Sequence, residues 1–327
     1  MRVGILGAGD ISRNFLNAAA ICEVEVAAIY NHHVDKAQSL ADEYNVERVY
    51  DDYQAFLEDD SFDTVYIGLP NGLHCEYAGK AMAYGKNVLI EKPFCSNMSE
   101  FKNLVELARE NKVFLIEMDR VQALPNFKVM QEKLPYIGEV SAVIMNYSQY
   151  SRKFDAYLEG SVSNVFTTEF SGGALMDLGV YGVNLAVALF GMPKDLNYTV
   201  KKLETGVDIS GVLTLHYDKF VVAIICSKDS VGHKHVAVQG EKGTLISYEA
   251  PSVLNRMFWL DRYGQAEVSA SQDYDASVYT LWEMKRIIEE KDYDAYYARL
   301  NQSKRVMKVL DTARKSAGIV FDNDLEI

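Results

Sequence analysis

The feature that most restricts this chain is the regular alternation of short apolar runs and amphipathic helices through its first third, with only a few residues at each join. Strands are expected at 3–6, 24–30, 64–67, a run closing at Lys92, and 113–117. Helices are expected at 11–20, 34–44, 74–84 and 98–111. Runs such as Val88, Leu89 and Ile90 are apolar without alternation, the mark of a strand buried on both faces, as parallel strands are. Strand–helix repeats of this kind wind into a doubly wound parallel sheet. The pattern stops near residue 120.

Beyond that point the character changes. A helix is expected from about 126, a long strand within "GEVSAVIMNYSQY", then the apolar segment "GGALMDLGVYGVNLAVALFG". From 197 to 260 the runs alternate and are β-branched ("GVLTLHY", "FVVAIICSK", "KHVAVQG", "GTLISY"), as in an antiparallel sheet with one face packed on helices. Helices at about 278–290 and 303–317 close the chain. The expected fold is therefore α/β, with domains over 1–120 and 121–327. The second is α+β with an open-faced, predominantly antiparallel sheet, and the C-terminal helix is free to pack back on the first.

With 327 residues and 49% hydrophobic content the chain is long enough for two cores. A formal charge of -13 argues against a nucleic-acid or anionic-membrane partner. No apolar stretch approaches the roughly 20 residues of a membrane span. The chain opens directly as a strand, so no signal peptide is expected. Cys22, Cys75, Cys95 and Cys226 are scattered, without a CxxC pair, which fits reduced thiols and a cytoplasmic location. His32-His33 and His233-Lys234-His235 lack the Cys or carboxylate partners of a tetrahedral site, so no metal is expected.

Four groups carry chemistry. "GILGAGDIS" spaces Gly7, Gly9 and Ser12 as GxGxxG with serine in third place. Gly7 permits the tight turn, Gly9 lets the backbone approach a pyrophosphate, and the following helix start offers N–H groups and its dipole to phosphate. Ser12 is small enough for close helix–strand packing, and its hydroxyl could serve phosphate or cap the helix. Gly7, Gly9, Asp10, Ile11 and Ser12 thus form the expected phosphate-binding turn. After the second strand, "IYNHH" presents Asn31 and His32 without a carboxylate, which favours NADP over NAD. "GLPNGLH" places Leu69, Pro70 and Asn71 at a strand exit and His74 in the next helical turn. Finally "NVLIEKPF" ends a buried strand in Glu91 and Lys92. Pro93 cannot donate to a ladder and forces Lys92 into extended backbone, so the ammonium points out of the sheet edge. Ligands of open α/β sheets bind at the carboxyl ends of the strands, where all four groups are expected. In the second domain Asp177 and Tyr181 stand four apart, a spacing that shares one helix face.

Taken in order, "GAGDIS", "GLPNGLH", "EKPF", "GGALMDLGVYGVN" and the "GEKGT" turn at 240–244 resemble the GFO/IDH/MocA oxidoreductase family over essentially the whole chain. The resemblance implies an N-terminal Rossmann domain, a C-terminal open-faced sheet, and a nicotinamide cofactor. It also implies homodimers or homotetramers formed through that sheet. Tyrosine at 181, where many members carry histidine, resembles the branch holding glucose–fructose oxidoreductase and the dimeric dihydrodiol dehydrogenases. There the proton-transfer pair maps to Lys92 and Tyr181. The dihydrodiol enzymes have an aromatic, arginine-rich stretch after the last Rossmann strand. This chain reads "EMDRVQALP", with Gln122 at the arginine position, which shifts the expected substrate to a sugar or polyol.

The resulting expectation is hydride exchange between NAD(P) and a secondary alcohol or its ketone. Lys92 and Tyr181 move the proton, Asp177 orients substrate hydroxyls or the lysine, and Glu91 joins the cofactor-binding set. An ammonium beside a phenol favours the phenolate, which suits a general base. Tyr147, Arg152, Phe154 and Asp155 are candidate substrate-lining residues. A non-catalytic NAD(P)-binding regulator of the same fold is the rival expectation, and a sugar-to-sugar oxidoreductase with retained cofactor a third. Substrate identity, stereochemistry and reaction direction stay open.

Overall fold

The structure, a computed structural model, describes residues 1–325. The chain divides into two compact units. One comprises 1–119 and 277–304, the other 120–276 and 305 onward.

The first unit is built on β1 (Arg2–Leu6), β2 (Glu25–Tyr30), β3 (Arg48–Tyr50), β4 (Thr64–Ile67), β5 (Asn87–Ile90) and β6 (Leu115–Glu117). All pair in parallel, in the order β3-β2-β1-β4-β5-β6. The connecting helices are α1 (Asp10–Ile21), α2 (Val34–Tyr44), α3 (Tyr53–Leu57), α4 (His74–Ala83) and α5 (Met98–Asn111). Every residue of β4 is buried, as both faces of a doubly wound sheet require. The three-residue β3 and the single-turn α3 were not expected, because "ERVYDDYQAFLEDD" carries too much charge and too short an apolar run to stand out. Asp52 caps α3 by accepting from the Ala55 N–H (2.7 Å).

The segment 277–304 belongs to the first unit although it follows most of the second in the chain. In α9 (Ala276–Glu290), Val278, Leu281, Met284 and Ile287 recur at helical spacing. They are buried in one apolar cluster with Val3, Ile5, Phe15, Ile29, Leu89 and Ile116. The helix that follows, α10 (Tyr293–Ser316), contributes its first half to this unit and its second half to the other.

The second unit opens with α6 (Pro125–Lys133). Its sheet consists of β7 (Val140–Ser148), β8 (Asp195–Lys202), β9 (Asp208–His216), β10 (Val221–Ser227), β11 (His235–Gly240), β12 (Thr244–Ser247), β13 (Phe258–Asp261) and β14 (Gly264–Glu267). Their order is β14-β13-β12-β11-β7-β10-β9-β8. The β7–β10 pair is parallel and the others are antiparallel. Between β7 and β8 lie α7 (Arg152–Leu158), a π-helical turn (Leu175–Gly179) and α8 (Val180–Phe190). α8 is apolar all round, and glycine brings it onto the sheet: a Cβ on Gly182 would stand 2.7 Å from Ile224. At the start of this segment the buried Asp208 carboxylate accepts from the Leu175 N–H (2.7 Å) and the Tyr198 hydroxyl (2.5 Å). A Cβ on Gly173 would collide with that carboxylate, at 2.1 Å. These glycines therefore serve backbone and sheet contacts. Burial pushes the Asp208 carboxyl up, against the opposing bonds from Tyr198 and Leu175.

Candidate active site

In the first sheet Leu6 is in register with Tyr30 on one side and Ile67 on the other, and Ile67 with Ile90. The ladder continues one residue further: Gly7 N–H donates to Tyr30 (2.9 Å), Gly68 N–H to Leu6 (2.9 Å) and Glu91 N–H to Ile67 (3.1 Å). The carboxyl ends of β1, β2, β4 and β5 are therefore level. Chain order reverses between β1 and β4, which is where an open α/β sheet leaves its ligand crevice. Gly7, Gly9, Asn31, Leu69, Asn71 and Lys92 all lie along this one edge.

The glycine turn is shaped by close approach. Gly7 has φ +101°, and a Cβ there would stand 2.7 Å from the Gly68 carbonyl oxygen. A Cβ on Gly9 would meet nothing within 4 Å, so the backbone there faces open space. Gly9 is the N-cap of α1 and no side chain caps that helix, so Asp10, Ile11 and Ser12 present their first-turn amides as a phosphate site needs. Ser12 itself points elsewhere. It is completely buried, its Oγ has no hydrogen-bond partner, and it lies 3.0 Å from where a Gly68 Cβ would be. Close packing is thus its structural role, and it does not cap the helix.

At the end of β2, Asn31 Oδ1 accepts from the His33 N–H (2.8 Å), which orders the loop and leaves the amide NH₂ and the exposed His32 ring as donors. The neighbouring β3 brings Asp51 and Asp52 to this edge, with Asp52 engaged in capping α3.

His74, expected in the cofactor-binding set, is wholly buried and held by backbone within the protein. Its Nδ1 lies 3.0 Å from the Pro93 carbonyl and its Nε2 3.0 Å from the Leu69 carbonyl. Burial pushes the ring's pKa down, against the opposing contacts to the Leu69 and Pro93 carbonyls, and whichever ring nitrogen carries a proton donates it to its carbonyl oxygen. The ring ties the Leu69–Asn71 exit to the turn after Lys92, whose bond to Pro93 is cis. Glu91 is likewise inward-facing: Tyr66 Oη donates to its Oε1 (2.9 Å), and the Lys92 N–H reaches its Oε2 at 3.3 Å. Both residues brace the lysine turn from behind.

One group of this region escaped the sequence reading. Glu117, in register with Ile90, is completely enclosed, and Ser303 Oγ donates to its Oε2 (2.5 Å). Burial, opposed by Ser303 and reinforced by Asp119, pushes its carboxyl up to about 8. Asp119 instead pairs with Arg299 (3.3 Å).

In the second unit Asp177 lies on the π-helical turn and Tyr181 in the first turn of α8. Tyr181 is buried with its ring 5.9 Å from that of Tyr147, over which Lys234 Nζ lies at 5.0 Å. Asp177 is ion-paired with Lys228, a residue the sequence reading did not single out. Of the other lining candidates, Asp155 accepts from the Tyr150 hydroxyl (2.6 Å), and Phe154 packs edge-on against Phe166. Among the described residues no group of three His, Cys, Asp or Glu side chains could hold a metal ion, and no helix is long and apolar enough to cross a membrane.

A sheet of this strand order, with a glycine turn at its switch point, is the frame of a dinucleotide-binding domain. Residues 1–118 match the oxidoreductase family with an NAD-binding Rossmann fold, and residues 135–246 match the GFO/IDH/MocA C-terminal domain. The scyllo-inositol 2-dehydrogenase (NADP(+)) IolU of Bacillus subtilis is 36% identical over 99% of both chains. The D-xylose 1-dehydrogenase (NADP(+)) 2 of Haloferax volcanii is 31% identical over 84% of this chain and 81% of its own. Among solved structures, the 3-ketoreductase KijD10 from Actinomadura kijaniata, in complex with NADP and TDP-benzene, superposes with a TM-score of 0.85. That structure is 22% identical and covers 97% of each chain. The chain belongs to the GFO/IDH/MocA family and is an NAD(P)-dependent oxidoreductase.

Proposed function

We propose that the enzyme moves hydride between NADP and a ring or chain carbinol of a polyol or sugar, a cyclic polyol such as an inositol being the leading candidate. The observation that carries this reading is Lys92: a cation delivered by a buried strand to the edge that also holds the glycine turn, in a chain 36% identical to an inositol dehydrogenase along its full length. The bound nicotinamide accepts or supplies the hydride. The chain's own work is to position substrate and to manage charge. In the oxidative direction the substrate hydroxyl gives its proton to the Tyr181 phenolate, which becomes the phenol, and Lys92 stabilises the oxygen as negative charge develops on it. In reduction the same groups run in reverse. Asp177 accepts from a neighbouring substrate hydroxyl and fixes which carbon is presented. NADP is preferred because Asn31 and His32 offer donors to a 2′-phosphate.

Copies of the chain meet through the open face of the second sheet, a reading supported by the outward Val212, Val221, Tyr248 and Leu260, each more than a third exposed. Light scattering of the purified protein gives the mass directly.

The test of the chemistry is turnover of scyllo-inositol and related polyols with NADP, followed at the nicotinamide absorbance. Lys92→Ala and Tyr181→Phe are each expected to lose about 10²- to 10⁴-fold in turnover, the range of general acid–base catalysis, with cofactor affinity retained. Wild-type rates in Tyr181→Phe remove the phenol from this role. NADPH binding without turnover of any polyol, sugar or ketone favours the regulator instead.

A further inference from the structure

We infer that Lys228 is a positioning residue that sets which epimer of a polyol the enzyme accepts, by holding the Asp177 carboxylate in one orientation. The inference rests on the polyol reading above and adds a residue that the reading does not use.

Lys228 follows the last residue of β10, and its backbone is fixed from both sides. Its N–H donates to the Ile209 carbonyl (2.9 Å), and its carbonyl accepts from the Ser151 N–H (2.9 Å). Ser227, just before it, is in register with Ser148 of β7 and Ser210 of β9. The ammonium therefore starts from a rigid point in the sheet. Its side chain is 8% exposed, while that of its partner Asp177 is 33% exposed. The pair is asymmetric: the cation is hidden and the anion is presented. A buried ammonium without its counter-ion is strongly unfavourable, so Lys228 has to keep the carboxylate turned toward it.

Two charged groups close by in sequence, Asp229 and Lys234, are engaged elsewhere. Asp229 Oδ2 accepts from Lys201 (2.7 Å), and its Oδ1 from Ser227 Oγ (2.8 Å). Lys234 donates to Gln149 and lies over Tyr147. Asp177 itself stands on a π-helical turn, a local widening that aims a side chain off the regular helix face and often marks a functional position. Tyr181 follows one turn later. The carboxylate is thus braced by the hidden lysine, one turn ahead of Tyr181 in the chain.

Such a bracing has a specific consequence. A ligand hydroxyl that meets a fixed carboxylate oxygen is distinguished from its epimer, because the epimer's hydroxyl points away from that oxygen and forfeits a charge-assisted hydrogen bond. A carboxylate free to swing accepts from either epimer and discriminates little. Lys228 is too enclosed to be a binding group for the polyol, so its influence passes through Asp177.

The experiment measures scyllo-inositol and its epimer myo-inositol by calorimetric titration into the NADP-loaded protein and by kcat and KM. It uses wild type, Lys228→Met, Lys228→Arg, Asp177→Asn and the Lys228→Met/Asp177→Asn pair. Lys228→Met is expected to weaken the preferred epimer by about 10- to 100-fold, as loss of a charged hydrogen bond would, with most of the effect in KM. The epimer ratio falls toward one, and Lys228→Arg restores it. The double variant is expected to be no worse than the poorer single variant, since both act on one group. NADP affinity close to wild type in every variant reports that the fold is intact. An unchanged epimer ratio in Lys228→Met, or strictly additive losses in the pair, overturns the inference while the polyol reading stands. A wild type that binds neither these nor any related polyol overturns both together.

Discussion

Replacing Glu117 by glutamine should flatten the pH dependence of stability in a calculable way. The carboxyl is fully enclosed and titrates at about 8, against an ordinary value of 4.5, with burial as the leading cause. An unfolded chain releases this proton near 4.5 while the folded one holds it to about 8. Between those limits the folded state binds more protons, so stability falls as pH rises and the loss is complete above about 8. A difference of roughly three to four pH units, at about 1.4 kcal/mol each, corresponds to roughly 4–5 kcal/mol. The charges of Asp119 and Glu91 add to the rise that burial causes. Glutamine has the same shape, cannot ionise, and can still accept from Ser303. The assay is urea unfolding of both proteins at intervals from pH 5.5 to 9. Wild type minus variant should drop by several kcal/mol across that range, with most of the fall below pH 8. Parallel curves would refute the reasoning and show the carboxylate to be ionised or solvated.

Four further outcomes follow from particular contacts. Ser12→Ala removes a buried, unpartnered hydroxyl and should raise the cofactor-free unfolding free energy by about 1 kcal/mol; a loss of that size would mean the hydroxyl has a partner. His74→Ala cuts the tie between the Leu69 and Pro93 carbonyls and should lower stability by about 2–3 kcal/mol while weakening NADPH binding, read by denaturation and fluorescence titration. Gly182→Ala, although alanine favours helix, should destabilise by about 1–3 kcal/mol because its Cβ runs into the buried Ile224. Asn31→Asp should reduce the ratio of kcat/KM with NADP to that with NAD by about tenfold or more, since a carboxylate would face the 2′-phosphate.

Much of the first unit was legible because doubly wound sheets write their constraints locally. Strands buried on both faces are uninterrupted apolar runs, and each turn that receives a ligand must carry glycine, proline or a charge at the strand end. Gly7, Leu69–Asn71 and Lys92, which stand at the carboxyl ends of their strands, carry that signal. Glu117 carries the same signal, a charge closing a buried strand, and could have been found by it. Other features depend on contacts far apart in sequence. Nothing in Val278–Ile287 says which core the helix joins, since any apolar face at helical spacing looks alike. The burial of His74 depends on two carbonyls brought together by β4 and β5, which its position beside "LPNG" does not reveal. Lys228, within "ICSKDS", reads as an ordinary solvated lysine after a strand; only the fold brings Asp177 to it. β3 was too short and too charged to register.

The most direct measurement is single-turnover transfer of deuterium from scyllo-inositol deuterated at every ring carbon to NADP, in wild type and in Lys92→Ala loaded to the same degree with cofactor. The account predicts deuterium on the nicotinamide of the wild type within one turnover, and almost none in the variant over the same interval. Transfer at equal rates in the two proteins would contradict the role given to the lysine at the sheet's edge.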